Sequence, residues 1–312
     1  MSEIDVSFVM TVYNKERYLP SVLKALLNQT GLKNPEFIFC DDVSKDRSVE
    51  IIEEMTKGLP NVQIFKNKVN EGISVRINQG IMAAHGKYIR MLDSDDIFPL
   101  DSTEKMIELT QKYKADMVYG TFVKTGKEPE ELTDAYLSPK FEVKYFKDAM
   151  RAIFKARFTR MGQLIKTEVL QKAEGADERV FIQDETIPLR CARLADGVVK
   201  MYENVVLVPK ENGNLSGVKV QLDHDRYLAY YFFIKDHPEL PKDVLCKLNM
   251  RAVSAYWKYT RKINPHAYLS KTLWYYLGAK TGLVKPNIKL LDRWAAEFLQ
   301  ASGVLRTKKL KK

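Results

Sequence analysis

Tyr88-Ile89-Arg90-Met91-Leu92-Asp93-Ser94-Asp95-Asp96 is the stretch that decides how this chain folds. Residues 88–92 form a short, mostly apolar run of the kind a buried strand makes. They pass straight into three carboxylates within four positions. At neutral pH those carboxylates repel one another, so shared cations, proton uptake or solvation must offset the repulsion. Hard oxygen ligands at a strand end suit Mg²⁺ or Mn²⁺, with a diphosphate completing the coordination shell. The alternative for the cluster alone is an acidic loop leading into the next helix, where Asp101 with Glu104 reads as an N-cap and its reciprocal partner.

Working outward, the same strand-then-polar-loop pattern recurs. Residues 6–12 are β-branched and apolar, with turn chemistry at Asn14. Leu19, Val22, Leu23, Leu26 and Leu27 then follow at helical spacing. Residues 36–40 are a second strand that ends in Asp41-Asp42-Val43-Ser44-Lys45-Asp46. Helical spacing returns at Val49, Ile52 and Met55 and stops at Gly58. Residues 62–65 are a third strand, Asn70-Glu71-Gly72 opens a helix toward Ala84, and residues 117–123 form a strand beyond the acidic cluster. Strands alternating with helices predict an α/β fold with a mainly parallel sheet. Ligands of such sheets sit beyond the carboxyl ends of the strands. The polar segments 11–14, 41–46, 67–72 and 93–96 should therefore converge on one cleft.

The pattern loosens further on. Residues 124–145 read as a surface excursion, strand and helix signals resume at 164–165 and 187–194, and 205–208 is a further strand. From about residue 222 only helical patterns remain, rich in Tyr, Trp and Lys, and no internal repeat is visible.

Composition sets bounds on function. The 312 residues are 45% hydrophobic, enough for a real core, with no low-complexity tract. Cys40, Cys191 and Cys246 match neither a zinc site nor a disulfide framework, which points to a reducing, cytoplasmic setting. Met1-Ser2-Glu3-Ile4-Asp5 does not read as a signal peptide, and apolar runs such as 228–234 are too short to cross a bilayer. Net charge is +10, and its location is uneven. Residues 209–312 hold 20 Lys/Arg against 8 Asp/Glu, whereas residues 1–208 hold 30 against 32. That asymmetry points to an anionic partner for the C-terminal third, against the plainer reading of a solvated helical face.

Two more constellations accompany the acidic cluster. Asp41-Asp42 could accept hydrogen bonds from a base or ribose, or simply form a solvated Asx turn. In Asn70-Glu71-Gly72-Ile73-Ser74-Val75-Arg76-Ile77-Asn78 the glycine permits a tight helix entry, the helix start favours anions, and Arg76 could bind phosphate. The plain alternative for Arg76 is an ordinary surface arginine.

Taken in order, these segments resemble the family 2 glycosyltransferases, which have the GT-A fold: Rossmann-like, with a mainly parallel central sheet flanked by helices. Residues 6–12 with Tyr13-Asn14-Lys15 look like the family's opening, and Leu26-Leu27-Asn28-Gln29-Thr30 like the end of its first helix. Residues 41–46 resemble its second motif, 70–80 its asparagine–glycine–arginine–asparagine helix, and 92–96 its metal motif. The resemblance is strong over 1–125 and fainter to about 216. It implies a catalytic domain over 1–216 and a basic, aromatic-rich helical region over 217–312.

The family's roles carry over by position. Thr11 and Tyr13 would line the nucleotide base, with Tyr13 stacked on it. Asp42 would hydrogen-bond the base, a contact typical of uracil. Arg76 would help hold the base or diphosphate, and Asp93 would contact the ribose or sugar. Asp95, with Asp96 beside it, would reach the divalent metal, Mn²⁺ or Mg²⁺. In the second half, Phe181-Ile182-Gln183-Asp184-Glu185 resembles the family's acidic pair at a helix start. That makes Asp184 the candidate base, with Glu185 the alternative and simple helix capping the plain reading. Glu211-Asn212-Gly213-Asn214-Leu215-Ser216 faintly resembles the segment that closes over the donor.

Departures are informative. Val43 stands where glycine or asparagine is usual, and Thr11 where proline is commoner. Arg293-Trp294 lacks the glutamine of the processive synthases, since Leu290 holds that position. The resemblance implies an inverting hexosyl- or hexosaminyltransferase. It would move sugar from a nucleotide-sugar, expected to be a UDP-sugar, to a glycan or lipid-linked acceptor in bacterial-type surface polysaccharide biosynthesis. The rivals are a catalytically silent binding or scaffold protein of the same fold, and a nucleotidyltransferase. The latter would show a Gly-rich basic loop where Thr11-Val12-Tyr13-Asn14 stands.

Residues 251–312 carry 14 Lys/Arg and 2 Asp/Glu, interleaved with Tyr256, Trp257, Tyr259, Tyr268, Trp274, Tyr275, Tyr276 and Trp294. This pattern suits an anionic membrane surface, placing the protein at the inner face of the cytoplasmic membrane. Nucleic acid ranks below it because no binding motif accompanies the charge. The plain alternative is a bundle packing its aromatics against the catalytic domain or a second subunit in a homo-oligomer.

Overall fold

Four consecutive strands build one half of the sheet. They are β1 (Val6–Val12), β2 (Glu36–Asp41), β3 (Val62–Lys66) and β4 (Tyr88–Asp93). β1, β2 and β4 are buried almost throughout, as expected of parallel strands covered on both faces. The computed structural model describes residues 3–132, 142–155, 162–210 and 219–298. The crossovers are α1 (Leu19–Leu27), α2 (Ser48–Met55) and α3 (Ile73–Ala83). α1 turns Leu19, Val22, Leu23 and Leu26 inward, which is the helical spacing read from the sequence. α3 lies close on β1, because a Cβ at Gly80 would stand 2.3 Å from Val9 Cγ1.

The remaining elements of the sheet region are α4 (Ser102–Tyr113), β5 (Met117–Lys124), β6 (Val143–Phe146), α5 (Ala149–Lys155), β7 (Gln163–Lys166), α6 (Thr167–Lys172), α7 (Gln183–Ala192) and β8 (Val198–Val208). The eight strands run in the order β3-β2-β1-β4-β7-β5-β8-β6. β1/β2, β2/β3, β1/β4 and β5/β8 are parallel, while β7 runs antiparallel to β4 and β5, and β6 to β8. The fold is thus α/β with a mostly parallel sheet. The chain steps outward from β1 to β3 and then returns to β4 on the other side of β1. That reversal is the kind of switch point where such sheets bind ligands.

Three local expectations shift. Asp101 precedes α4 but makes no side-chain cap; its carboxylate pairs instead with Lys105 Nζ at 2.8 Å, one turn further on. The expected strand at 205–208 is the end of an eleven-residue strand. Its first half was hidden by Lys200 and Glu203, which are buried but satisfied: Lys200 Nζ donates to Gly120 O at 2.7 Å, and Lys105 Nζ pairs with Glu203 at 2.6 Å. Within the expected excursion, residues 143–146 form β6, residues 129–131 form a 3₁₀ turn, and residues 133–141 lie outside the described residues.

By internal contacts the chain divides into two compact units, one of residues 1–176 with 187–212 and the other of 177–186 with 213–312. The helices of the second unit are α8 (Lys219–Asp236), α9 (Lys242–Ile263), α10 (Lys271–Thr281) and α11 (Ile288–Phe298). Its core is aromatic. Tyr256 stacks on Trp294 at 4.1 Å, Tyr227 on Phe298 at 4.7 Å, and Tyr259 packs on Phe298 at 4.4 Å. The polar ends of these rings are satisfied, with Tyr227 donating to Leu291 O and Tyr256 to Glu297, each at 2.5 Å. Among the described residues no helix is long and apolar enough to cross a membrane. Cys40 and Cys191 are core residues, their thiols pushed up to about 12 by burial.

Candidate functional site

Strand register brings the polar segments together. Thr11 pairs with Cys40 on one side and Asp93 on the other, and Val12 with Asp41. Thr11, Asp41 and Asp93 therefore stand abreast at the carboxyl edge. The loops beyond are laced to each other: Asn14 N–H donates to Ser44 Oγ at 3.0 Å, Lys45 N–H to Asn14 Oδ1 at 2.8 Å, and Lys15 N–H to Ser48 Oγ at 2.7 Å. Asn14 and Val43 both adopt left-handed backbone, with φ of 53° and 70°. Asparagine tolerates that conformation, whereas β-branched Val43 is strained in it. The turn kept the shape glycine would give it, although the residue is valine.

The two adjacent aspartates divide their labour. Asp41 forms the Asx turn, accepting the Val43 and Ser44 N–H groups at 3.0–3.2 Å. Asp42, buried, reaches across to the third loop. It accepts Glu71 N–H at 3.0 Å, Gly72 N–H at 2.9 Å and Arg76 Nε at 2.8 Å, while its own carbonyl takes Asn70 Nδ2 at 2.8 Å. The anion at the head of α3 is therefore the protein's own Asp42. Those bonds use three of the roughly four acceptor positions of a carboxylate. Gly72 supplies the backbone this requires, with φ 87° and ψ 167°, a conformation essentially confined to glycine.

Arg76, expected to help hold the base or diphosphate, lies on the buried face of α3 and donates to Asp42. It is 4% exposed, and its Nη2 donates to Val69 O at 2.5 Å and Glu71 at 3.1 Å. Its place on the buried face of α3, with Ile77 and Gly80, makes it a clamp on Asp42.

At the other end of the edge, Tyr13 is 44% exposed, so its ring is presented for stacking. Asp93 and Asp95 are half-buried, and Asp96 is buried with its N–H donated to Asp93 O at 3.3 Å. Asp95 faces a cation, Lys15 Nζ at 2.5 Å. Nothing in the sequence flagged Lys15, whose partner lies 80 residues away. Among the described residues no three His, Cys, Asp or Glu side chains gather as a metal cage. A phosphate-site Mg²⁺ asks for less: one or two carboxylates, with phosphate and water completing the shell. Asp95 and Asp96, just beyond β4, are carboxylates of that kind, and the Lys15 ammonium already pairs with Asp95.

In the second unit, α7 begins with the acidic pair. Glu185 is committed: Arg226 Nε donates to it at 3.1 Å and Tyr230 OH at 2.5 Å. Burial and that carboxylate push the Tyr230 hydroxyl well above its ordinary pKa, so it stays a donor. Asp184, its neighbour, is solvent-exposed. Of the two, Asp184 is the carboxylate presented outward. The segment 211–216 lies outside the described residues apart from its neighbours.

Comparison with known proteins matches these features. Residues 7–172 match the family model for glycosyl transferase family 2, a span holding every residue of the strand-end cluster. GlyG, a glycosyltransferase of Streptococcus pneumoniae, is 28% identical over 246 residues, covering 74% of this chain and 79% of GlyG. GgaB, a minor teichoic acid biosynthesis protein of Bacillus subtilis, is 33% identical over 114 residues, covering 36% of this chain and 13% of GgaB. A Haemophilus influenzae glycosyltransferase is 36% identical over 117 residues; 46% of its length is matched, so this chain spans under half of both. Crystal structures of S. aureus TarS with UDP-GlcNAc (TM-score 0.66, 14% identity, 95% of this chain and 92% of that one) and of the Pyrobaculum calidifontis mannosyltransferase PcManGT with GDP-Man and Mn²⁺ (0.62, 15%, 95% and 84%) share the fold. With the family model covering more than half the chain and the strand-end motifs in its span, this protein belongs to glycosyl transferase family 2.

Proposed function

We propose that the chain transfers a sugar from a UDP-sugar to a hydroxyl of a glycan or lipid-linked acceptor, with a divalent metal and inversion at the anomeric carbon. The catalytic unit is residues 1–216, with 217–312 as a helical accessory region. The observation carrying this is the row Thr11, Asp41–Asp42 and Asp93 at the carboxyl edge, flanked by the open ring of Tyr13 and by Asp95 facing a cation.

In this reading Tyr13 stacks on the base, and Thr11 lines its pocket. Asp42, held rigid by Arg76, accepts a base N–H with its remaining acceptor position. Asp93 hydrogen-bonds the ribose or sugar. Asp95 and Asp96 hold Mn²⁺ or Mg²⁺, which when bound neutralises charge on the departing diphosphate. Asp184 takes the proton from the acceptor hydroxyl. The oxygen then bonds the anomeric carbon as the bond to diphosphate breaks, and one in-line displacement inverts the centre. A catalytically silent protein would need neither Asp95 nor an exposed Asp184.

The fold does not choose the base, since complexes of the same fold hold UDP-GlcNAc in one case and GDP-Man in another. The choice of uracil rests on Asp42. The printed role of GgaB in teichoic acid biosynthesis supports a surface polymer as the acceptor. Calorimetric titration of the full chain with UDP and with GDP, each with Mn²⁺, tests the donor: tighter UDP binding is expected. Preference for GDP would overturn the role given to Asp42.

A further inference from the structure

Exposed apolar side chains are concentrated in the second unit. Among the described residues thirteen large hydrophobic side chains stand exposed, and seven of them lie between Ile263 and Ile288. Leu269 is 85% exposed, Leu283 84% and Trp274 70%. This is not an amphipathic helix lacking its core. On α10, Tyr276 stacks on Trp257 and Tyr275 packs on Trp294, and Ala279 is buried, so the inner face is filled. Trp274 and Leu277, three apart, share the opposite face.

Charge accompanies the apolar display. From 244 to 291 the sequence holds nine cations (Lys247, Arg251, Lys258, Arg261, Lys262, Lys271, Lys280, Lys285 and Lys289) and no Asp or Glu. Lys271, Lys280, Lys285 and Lys289 are all exposed. A single-sign field beside exposed Trp, Tyr and Leu is the combination that suits the headgroup region of an anionic bilayer. A second copy of the chain fits poorly, because a two-fold contact on this face would set cations against cations.

We propose that the face formed by residues 263–289 docks on an anionic lipid surface, with Leu269, Trp274, Leu277 and Leu283 entering the interface and the four lysines meeting lipid phosphates. No described helix is fit to span, so the contact is peripheral. It is independent of the donor site and does not rest on the activity proposed above.

The protein carries its own reporter. Of three tryptophans, Trp257 and Trp294 are buried and Trp274 is exposed. Full-length protein is mixed with vesicles of phosphatidylcholine alone, or of phosphatidylcholine with phosphatidylglycerol, and followed by co-sedimentation and tryptophan fluorescence. Salt-sensitive binding to the anionic vesicles with a blue shift is expected. The shift should vanish in Trp274→Phe, which should still sediment. Leu269→Ser with Leu283→Ser should weaken binding about tenfold or more, as should Lys280→Gln with Lys285→Gln, the latter on anionic vesicles only. The circular dichroism spectrum and thermal midpoint should be unchanged in each variant, showing that it is folded. The proposal is overturned by absent vesicle binding, by binding that all these substitutions leave intact, or by a dimer in lipid-free solution that the leucine substitutions dissociate.

Discussion

The two units differ in where they place some of their cations. The first encloses three. Arg76 is enclosed against Asp42, and Lys200 sits inside the sheet on Gly120 O. Arg90 is fully buried among Ser102, Thr103, Gln29 and Val205 O, burial lowering its pKa to about 9. The second unit displays charge, with Lys271, Lys280, Lys285 and Lys289 all in solvent. A buried cation costs desolvation, which hydrogen bonds such as these offset, so each one fixes a geometry. An exposed cation fixes nothing and contributes a field. The proposed ligand of the first unit is small and polar, and that of the second is a broad surface of opposite sign.

Substitutions sharpen that contrast, beginning with the largest effect. Asp95→Ala should lower turnover of a UDP-sugar about a thousandfold or more and remove the metal dependence of UDP binding. Asp184→Asn should lower turnover by roughly a hundredfold to ten-thousandfold, the range for a lost general base, while UDP binding stays intact. If calorimetry showed both variants losing UDP equally, the separation of binding and proton transfer between the two residues would fail.

Arg76→Met should destabilise the protein by about 3–5 kcal/mol in urea denaturation, because it strands Asp42 in the interior without its cation. UDP affinity should fall with it, since Asp42 loses its orientation. Stability unaffected by this change would show that Arg76 is a surface residue in solution.

Lys200 gives a pH signature. Burial lowers its pKa from 10.5 to about 8. Between those values the unfolded chain holds a proton that the folded chain has released, so this group makes stability rise with pH across that window. Below about pH 8 its cost is fully present. Lys200→Met should be more stable than wild type near neutrality, and its denaturation midpoint should lose that rise. The smallest effect belongs to the displayed set: Lys280→Gln should change stability by no more than about 0.5 kcal/mol. A larger loss would mean that this lysine, too, fixes a structure.

What could be read from sequence followed from locality. β1, β2 and β4 are mostly apolar runs that pass into polar residues, so the strands and the polar edge beyond them were both visible. Partners distant in sequence were not visible. Arg76 was legible as a candidate for the base or diphosphate, but its pairing with Asp42, 34 residues earlier, was not. Lys15 attracted no notice because Asp95 lies 80 residues on. β8 looked half its length because Lys200 and Glu203 resemble a turn until their buried partners are known. In the helical unit the aromatic residues were evident, but not their sorting: adjacent Trp274 and Tyr275 have opposite fates, one in solvent and one against Trp294. That sorting depends on where α9 and α11 lie.

The central claim is that the carboxyl edge bearing Asp95 binds a nucleoside diphosphate through a metal. Titrating the full chain with UDP by calorimetry, in Mn²⁺ and again in EDTA, tests it most directly. The account predicts binding in Mn²⁺ that EDTA abolishes and that Asp95→Ala cannot reproduce. Equal binding with and without metal, or undiminished metal-dependent binding by Asp95→Ala, would contradict it.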